Sequence, residues 1–230
     1  MLTWIGIGCV KCGTSWTWQE IRKHPQIFSP RPKEIRFFNH PSKTLEDYLA
    51  NFKQAKHIQK CGEWTPDYFH SDDSITRIKK FFPHAKLLTI FRHPVERAFS
   101  NWKHATWAKR IKGNFAESFK YWRVRDRSIY SEMLRKWWTV FPKEQLKILW
   151  YDDIVNDPLA YLQDIFKFLE VDSDFVPPNY DEWFRFKYHD SNKQDAILTP
   201  QQRQRWLKFY KPYTEELEDL TGKDLTSWKK

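Results

Sequence analysis

Short apolar runs alternate along this chain with segments of helical period, and their order predicts an α/β fold. Residues 2–7 form an apolar run that stops at Gly8, the pattern of a buried strand entering a tight loop. Residues 14–23 read as a helix halted before Pro25, 34–38 as a second short strand ahead of a turn at Asn39-His-Pro, and 45–52 as another helix. Apolar residues at Ile75, Ile78, Phe81 and Phe82 give 71–82 an amphipathic spacing, with Ser71 or Asp72 as its N-cap. Residues 86–91 are almost continuously apolar, as in a strand buried on both faces of a parallel sheet. Pro94 then opens a long helix, where its missing N–H costs little. The strand pattern returns at 145–150, the helix pattern at 158–169, and a helical tail occupies 200–220. Residues 172–195, with two prolines and no period, read as a loop or lid. Strand, loop and helix in this order predict a P-loop-like, three-layer fold, a central parallel sheet flanked by helices, within a single domain over 1–230.

Composition narrows the picture. Thirty-nine Lys and Arg against 29 Asp and Glu leave a formal charge of +10, which points to an anionic partner without choosing among nucleotide, nucleic acid, membrane surface and acidic polymer. The chain carries 13 Trp, 10 Tyr and 18 Phe, more rings than a core needs, so some are available as stacking surfaces. Three cysteines, Cys9, Cys12 and Cys61, do not make a disulfide framework or complete a zinc site. No apolar run approaches the ~20 residues of a membrane span, and the first residues lack the features of a signal peptide. A soluble, cytoplasmic protein is the expectation; a membrane anchor upstream of Met1 would also be compatible with the sequence.

Chemistry concentrates after the first strand. Gly8 and Gly13 are separated by four residues and open onto a helix, an arrangement whose backbone N–H groups cradle phosphate. A triphosphate-binding loop places Lys directly after the second glycine; here Thr14 stands there and Lys11 lies inside the loop. A second cluster follows the 86–91 strand: Arg92 stands at its carboxyl end and Ser100 lies on the next helix, a cation and a hydroxyl for one anionic group.

The segment Lys11-Cys-Gly-Thr-Ser-Trp16 resembles the phosphosulfate loop of sulfotransferases that use 3′-phosphoadenylyl sulfate (PAPS) and release 3′-phosphoadenosine 5′-phosphate (PAP). Arg92-His-Pro-Val-Glu-Arg-Ala-Phe-Ser100 fills every fixed position of that family's 3′-phosphate motif. The resemblance implies that Lys11 contacts the phosphosulfate, that Cys12, Gly13, Thr14 and Ser15 hold the 5′-phosphate, that Trp16 stacks on adenine, and that Arg92 and Ser100 take the 3′-phosphate. Tyr151-Asp-Asp-Ile154 is similar to a family segment whose tyrosine lies near the adenine, and Lys193 is the candidate for a further phosphate contact. Lys33-Glu-Ile-Arg-Phe-Phe38 resembles a heparan-type motif whose glutamate is the base, which implies that role for Glu34. Gly62-Glu-Trp-Thr-Pro-Asp-Tyr-Phe69 is similar to a carbohydrate-sulfotransferase segment, with Trp64 where those enzymes often keep a lysine. Leu198-Thr-Pro and the helix around Trp206 match the usual C-terminal region.

Sulfuryl transfer needs a cation for the leaving phosphate oxygen and a base for the acceptor proton; Lys11 supplies the first. His40 and His104 rival Glu34 as base, because histidine titrates near neutrality. The sequence offers no metal ligand set, and the expected cofactor is PAPS alone, with a glycan or small-molecule acceptor and no specific nucleic acid. Two other readings stand beside this one. A P-loop kinase would need the missing lysine after Gly13, and a basic nucleic-acid-binding module would rest on the net charge and on the 103–112 cluster with Trp102 and Trp107.

Overall fold

The computed structural model describes residues 2–182 and 196–230. In chain order its main elements are β1 (Leu2–Gly6), α1 (Thr14–Ile21), β2 (Ile27–Phe28), α2 (Leu45–Ala50), β3 (Lys60–Trp64), α3 (Asp72–Phe81), β4 (Lys86–Phe91), α4 (Pro94–Trp107), α5 (Trp122–Arg125), α6 (Tyr130–Val140), β5 (Leu146–Trp150), α7 (Tyr151–Asn156), α8 (Pro158–Leu169) and α9 (Pro200–Thr221). The five strands form one sheet, all neighbours parallel, in the order β2-β3-β1-β4-β5. With helices flanking it, the sheet makes the three-layer α/β arrangement. No helix among the described residues is long and apolar enough to cross a membrane.

The chain divides into two compact units. Met1–Phe91 and Trp138–Asp190 make the first, which holds the whole sheet. In β4 every residue after Lys86 is buried, which explains its nearly unbroken apolar run. β1 lies between β3 and β4: the connection out of β1 runs toward the β2 edge, and the one out of β3 runs back past β1 to β4; at such a switch point the carboxyl ends of parallel strands open a crevice. The β1–β4 ladder continues past Gly6: the Ile7 amide donates to the Leu88 carbonyl (2.8 Å) and the Ile90 amide to that of Gly8 (3.1 Å), which fixes where the loop departs.

β1 and β3 fit together through two tryptophan–glycine pairs. Trp4 stands opposite Gly62 and Trp64 opposite Gly6, with the indoles edge to face at 6.4 Å. A Cβ on Gly62 would lie 2.1 Å from the Trp4 ring and 2.4 Å from its carbonyl oxygen, so only glycine fits there.

Arg92–Trp137 and Ser191–Lys230 make the second unit. Its core gathers Val95, Ala98, Phe99, Trp102, Phe115, Trp206 and Tyr210, with Phe115 stacked on Trp206 at 4.6 Å. Arg97 is wholly buried there: its guanidinium donates to the Ser128 hydroxyl and the Val124 carbonyl, tying 124–128 to α4. α9 starts with a capping box between Thr199 and Gln202.

Most expected elements are present within a residue or two, and the cap of α3 is Ser71, whose hydroxyl accepts from the Ser74 amide at 3.2 Å. The strand expected at 34–38 is not formed. Arg36 takes a left-handed conformation (φ 58°), and the neighbouring amides bond to side chains: Arg36 to the Thr65 hydroxyl (3.2 Å) and Phe37 to that of Tyr68 (2.9 Å). The sheet takes β2 and β3 instead. Of the loop expected over 172–195, residues 183–195 lie outside the described residues, and Lys193 with them.

Candidate active site

The Gly8–Gly13 loop leaves the carboxyl end of β1 and enters α1 with Gly13 as N-cap at φ 87°, a conformation in which a side chain is strained. Gly13 makes no side-chain cap, and the amides of a helix's first turn are groups to which an anion can bind. A Cβ on Gly13 would lie 3.0 Å from Ile154 and 3.2 Å from the Tyr151 ring, so Tyr151 packs against the loop. Trp64, the residue in the lysine position of the carbohydrate-type segment, is buried and donates its indole N–H to the Gly8 carbonyl (3.2 Å), bracing the loop. Trp16 is buried beside Tyr161, with its indole N–H on the Tyr180 carbonyl (3.2 Å). Cys9 and Cys12 are buried thiols with no disulfide.

Sequence reasoning missed Lys33. It treated this residue only as a neighbour of Glu34, yet the Lys33 ammonium donates to the Thr14 hydroxyl (2.9 Å) and to the Ser15 hydroxyl (3.2 Å), the first two residues of α1. Withdrawal from water pulls its pKa down to about 8; Lys11 adds to this, and Glu34 and Glu63 oppose it. No local signal marks the pair, since 18 residues separate Lys33 from Ser15.

The segment carrying Lys33 and Glu34 is held by a buried carboxyl that the sequence reading also passed over. Glu63 is fully buried and accepts from the hydroxyls of Thr65 (2.9 Å) and Tyr68, the same two hydroxyls that receive the Arg36 and Phe37 amides. Burial pushes its pKa up to about 8, so near neutrality it is mostly protonated. Glu63, Thr65 and Tyr68 all belong to the Gly62–Phe69 motif, so in this structure the motif works as a clamp on 33–38. Glu34 accepts from Arg36 at 2.7 and 3.3 Å, both contacts on Oε2, and this bond raises the Arg36 pKa. His40 is exposed in the turn that follows, its amide on the Phe37 carbonyl at 3.2 Å.

In the second unit, Arg92 precedes α4, and the Tyr130 hydroxyl donates to its carbonyl (2.9 Å). Ser100 is half-buried on α4, on the face shared by Glu96 and Lys103. The Lys103 pKa is lowered first by burial and then by Arg92, against Glu96; that of His93 falls to about 4 through burial, Arg203 and Arg92. Neutral His93 can therefore accept from the Val95 amide (3.2 Å) and cap α4.

A profile of the sulfotransferase family matches residues 52–175, more than half of the chain. The chain belongs to the sulfotransferase family. The matched span contains Glu63 and Arg92 but not the Gly8–Gly13 loop, to which other likenesses extend. A sulfotransferase from Alicyclobacillus acidocaldarius superposes with a TM-score of 0.87 at 25% identity, covering 100% of this chain and 99% of that one. Heparan sulfate glucosamine 3-O-sulfotransferase 5 of Mus musculus is 26% identical over 95% of this chain and 72% of its own length. A mouse sulfotransferase solved in complex with PAP shares the fold at a TM-score of 0.57 and 16% identity, covering 96% of this chain and 85% of that one. This sulfotransferase therefore has heparan-sulfate-type relatives and the family's three-layer α/β architecture.

Proposed function

We propose that this sulfotransferase moves a sulfuryl group from PAPS to a hydroxyl or amine of a carbohydrate. The observation that carries the reading is the Gly8–Gly13 loop at the carboxyl end of β1, with an uncapped α1 N-terminus and Lys11 inside it, in a chain of the sulfotransferase family. The relative that acts on heparan sulfate glucosamine supports a glycan acceptor, and the PAP complex of the mouse sulfotransferase supports the donor.

In this reading the amides and hydroxyls of 12–15 hold the 5′-phosphate, Trp16 and Tyr151 serve the adenine, and Arg92 with Ser100 takes the 3′-phosphate. Lys11 offsets the charge that builds on the bridging phosphate oxygen as the S–O bond breaks, and the acceptor atom forms the new bond to sulfur in line. Glu34 accepts the acceptor's proton. Both Arg36 contacts fall on Oε2, and Oε1 is the oxygen assigned to this task. The Arg36 bond, like the clamp from Glu63, fixes the carboxylate's direction, which a positioned base requires.

Glu34→Gln is expected to lower kcat by about 10²-fold, the usual worth of a general base, with PAP affinity near the wild-type value. Steady-state rates on a heparan-type acceptor, beside PAP calorimetry, check this. If His40→Ala caused that loss and Glu34→Gln did not, the base would be His40.

A further inference from the structure

Lys33 belongs to neither β1 nor the Gly8–Gly13 loop, yet its ammonium holds both hydroxyls at the start of α1. An ammonium has three hydrogens to give and no lone pair to accept with. In both bonds, at 2.9 Å and 3.2 Å, the Thr14 and Ser15 oxygens are therefore the acceptors. Each hydroxyl carries one hydrogen of its own, and neither can be spent on Lys33. Those hydrogens are left to point away from the ammonium, at the end of α1 where the amides are uncapped. Lys33 is itself held in place, because Glu63, Thr65 and Tyr68 fix the backbone of the following residues.

We propose that Lys33 is a positioning residue of the donor site: by occupying an acceptor lone pair on Thr14 and on Ser15, it sets both hydroxyls as donors toward the 5′-phosphate of the nucleotide. This rests on the donor reading given above. The arrangement also polarises the two O–H bonds, since a hydroxyl that accepts from a cation donates more strongly. It supplies a second positive charge near Lys11, whose influence on Lys33 is already felt in the unliganded protein. A bound anion would relieve that repulsion and stabilise the protonated amine.

Two consequences separate this role from a structural one. First, the effects of Lys33 and Ser15 on nucleotide binding are coupled, because one acts through the other. Ser15→Ala is expected to raise the Kd for PAP about 10-fold in the wild-type background, as for loss of one hydrogen bond to a charged group. In the Lys33→Met background the same change is expected to cost less than about threefold. Second, PAP affinity follows the charge on Lys33. Its pKa of about 8 in the free protein rises when the anion binds, so affinity is full below pH 8 and falls as the pH climbs above it. Lys33→Arg keeps its charge throughout this range and is expected to flatten the decline.

The test is titration calorimetry with PAP on the full chain, wild type and the variants Ser15→Ala, Lys33→Met, Lys33→Met/Ser15→Ala and Lys33→Arg, from pH 7 to 9.5. Coupled losses and a flattened Lys33→Arg profile support the proposal. Equal Ser15→Ala losses in both backgrounds, or the wild-type pH decline persisting in Lys33→Arg, overturn it. Should Lys33→Met fail to fold, the Lys33→Arg profile decides alone. Wild-type protein that binds no PAP at any pH would instead remove the donor reading itself, an outcome distinct from uncoupled variants.

Discussion

Lys11→Ala is expected to lower sulfuryl transfer about 10³-fold, the scale set by losing one preorganised charge-stabilising group. The protein should still fold. Lys11 sits at φ 69°, where a non-glycine residue bears a backbone cost, and alanine bears the same cost as lysine. Lys11→Gly sharpens the prediction, because glycine adopts this conformation freely. That variant should be more stable than wild type in denaturant unfolding, by up to about 1 kcal/mol, and be as inactive as the alanine variant. Opposite movement of stability and activity would mark Lys11 as a residue kept in strain for its charge. Near-normal turnover in either folded variant would remove the catalytic assignment.

The largest expected effect on stability is at Gly62. In Gly62→Ala the added methyl would meet the Trp4 ring at 2.1 Å and the Trp4 carbonyl at 2.4 Å. A rotamer change could move the ring, but the carbonyl belongs to β1 and is fixed by its ladder. The cost is expected to be about 3 kcal/mol, at the upper end for an overpacked core, with a Tm lower by roughly 6–12 °C. Denaturant unfolding followed by tryptophan fluorescence measures it. A loss under about 1 kcal/mol would mean that β1 and β3 can separate more easily than their packing indicates.

How much of this was readable beforehand depended on whether a residue's role was local. β1, β4 and β5 were visible as apolar runs, since strands covered on both faces have no polar alternation to conceal them. The phosphate loop was visible because glycine spacing and a strand-to-helix junction are features of adjacent residues. β3 was not, although its last three residues, Gly62-Glu-Trp64, open a recognised motif: the glycine makes room for Trp4 and the glutamate anchors a hydroxyl, and neither favours a strand by itself. Ile35, Phe37 and Phe38 imitated a strand because they are buried, whereas Arg36 between them is left-handed, its own amide bonds to the Thr65 hydroxyl, and those of Phe37 and Phe38 bond to the Tyr68 hydroxyl. Trp64 looked like a missing lysine; in the fold it is a packing residue bonded to the loop, and a different lysine, Lys33, reaches the hydroxyls of Thr14 and Ser15. That contact depends on tertiary proximity, which spacing does not encode.

The account turns on a ligand with phosphates on both sides of an adenosine. Its most direct test compares the affinity of the wild-type protein for PAP with that for 5′-AMP, which lacks only the 3′-phosphate. PAP is expected to bind about 100-fold more tightly at moderate salt, the worth of charge-assisted bonds from Arg92 and Ser100, and Arg92→Ala should abolish most of the difference. Equal affinity for the two nucleotides, or tighter binding of ATP with magnesium, would contradict it.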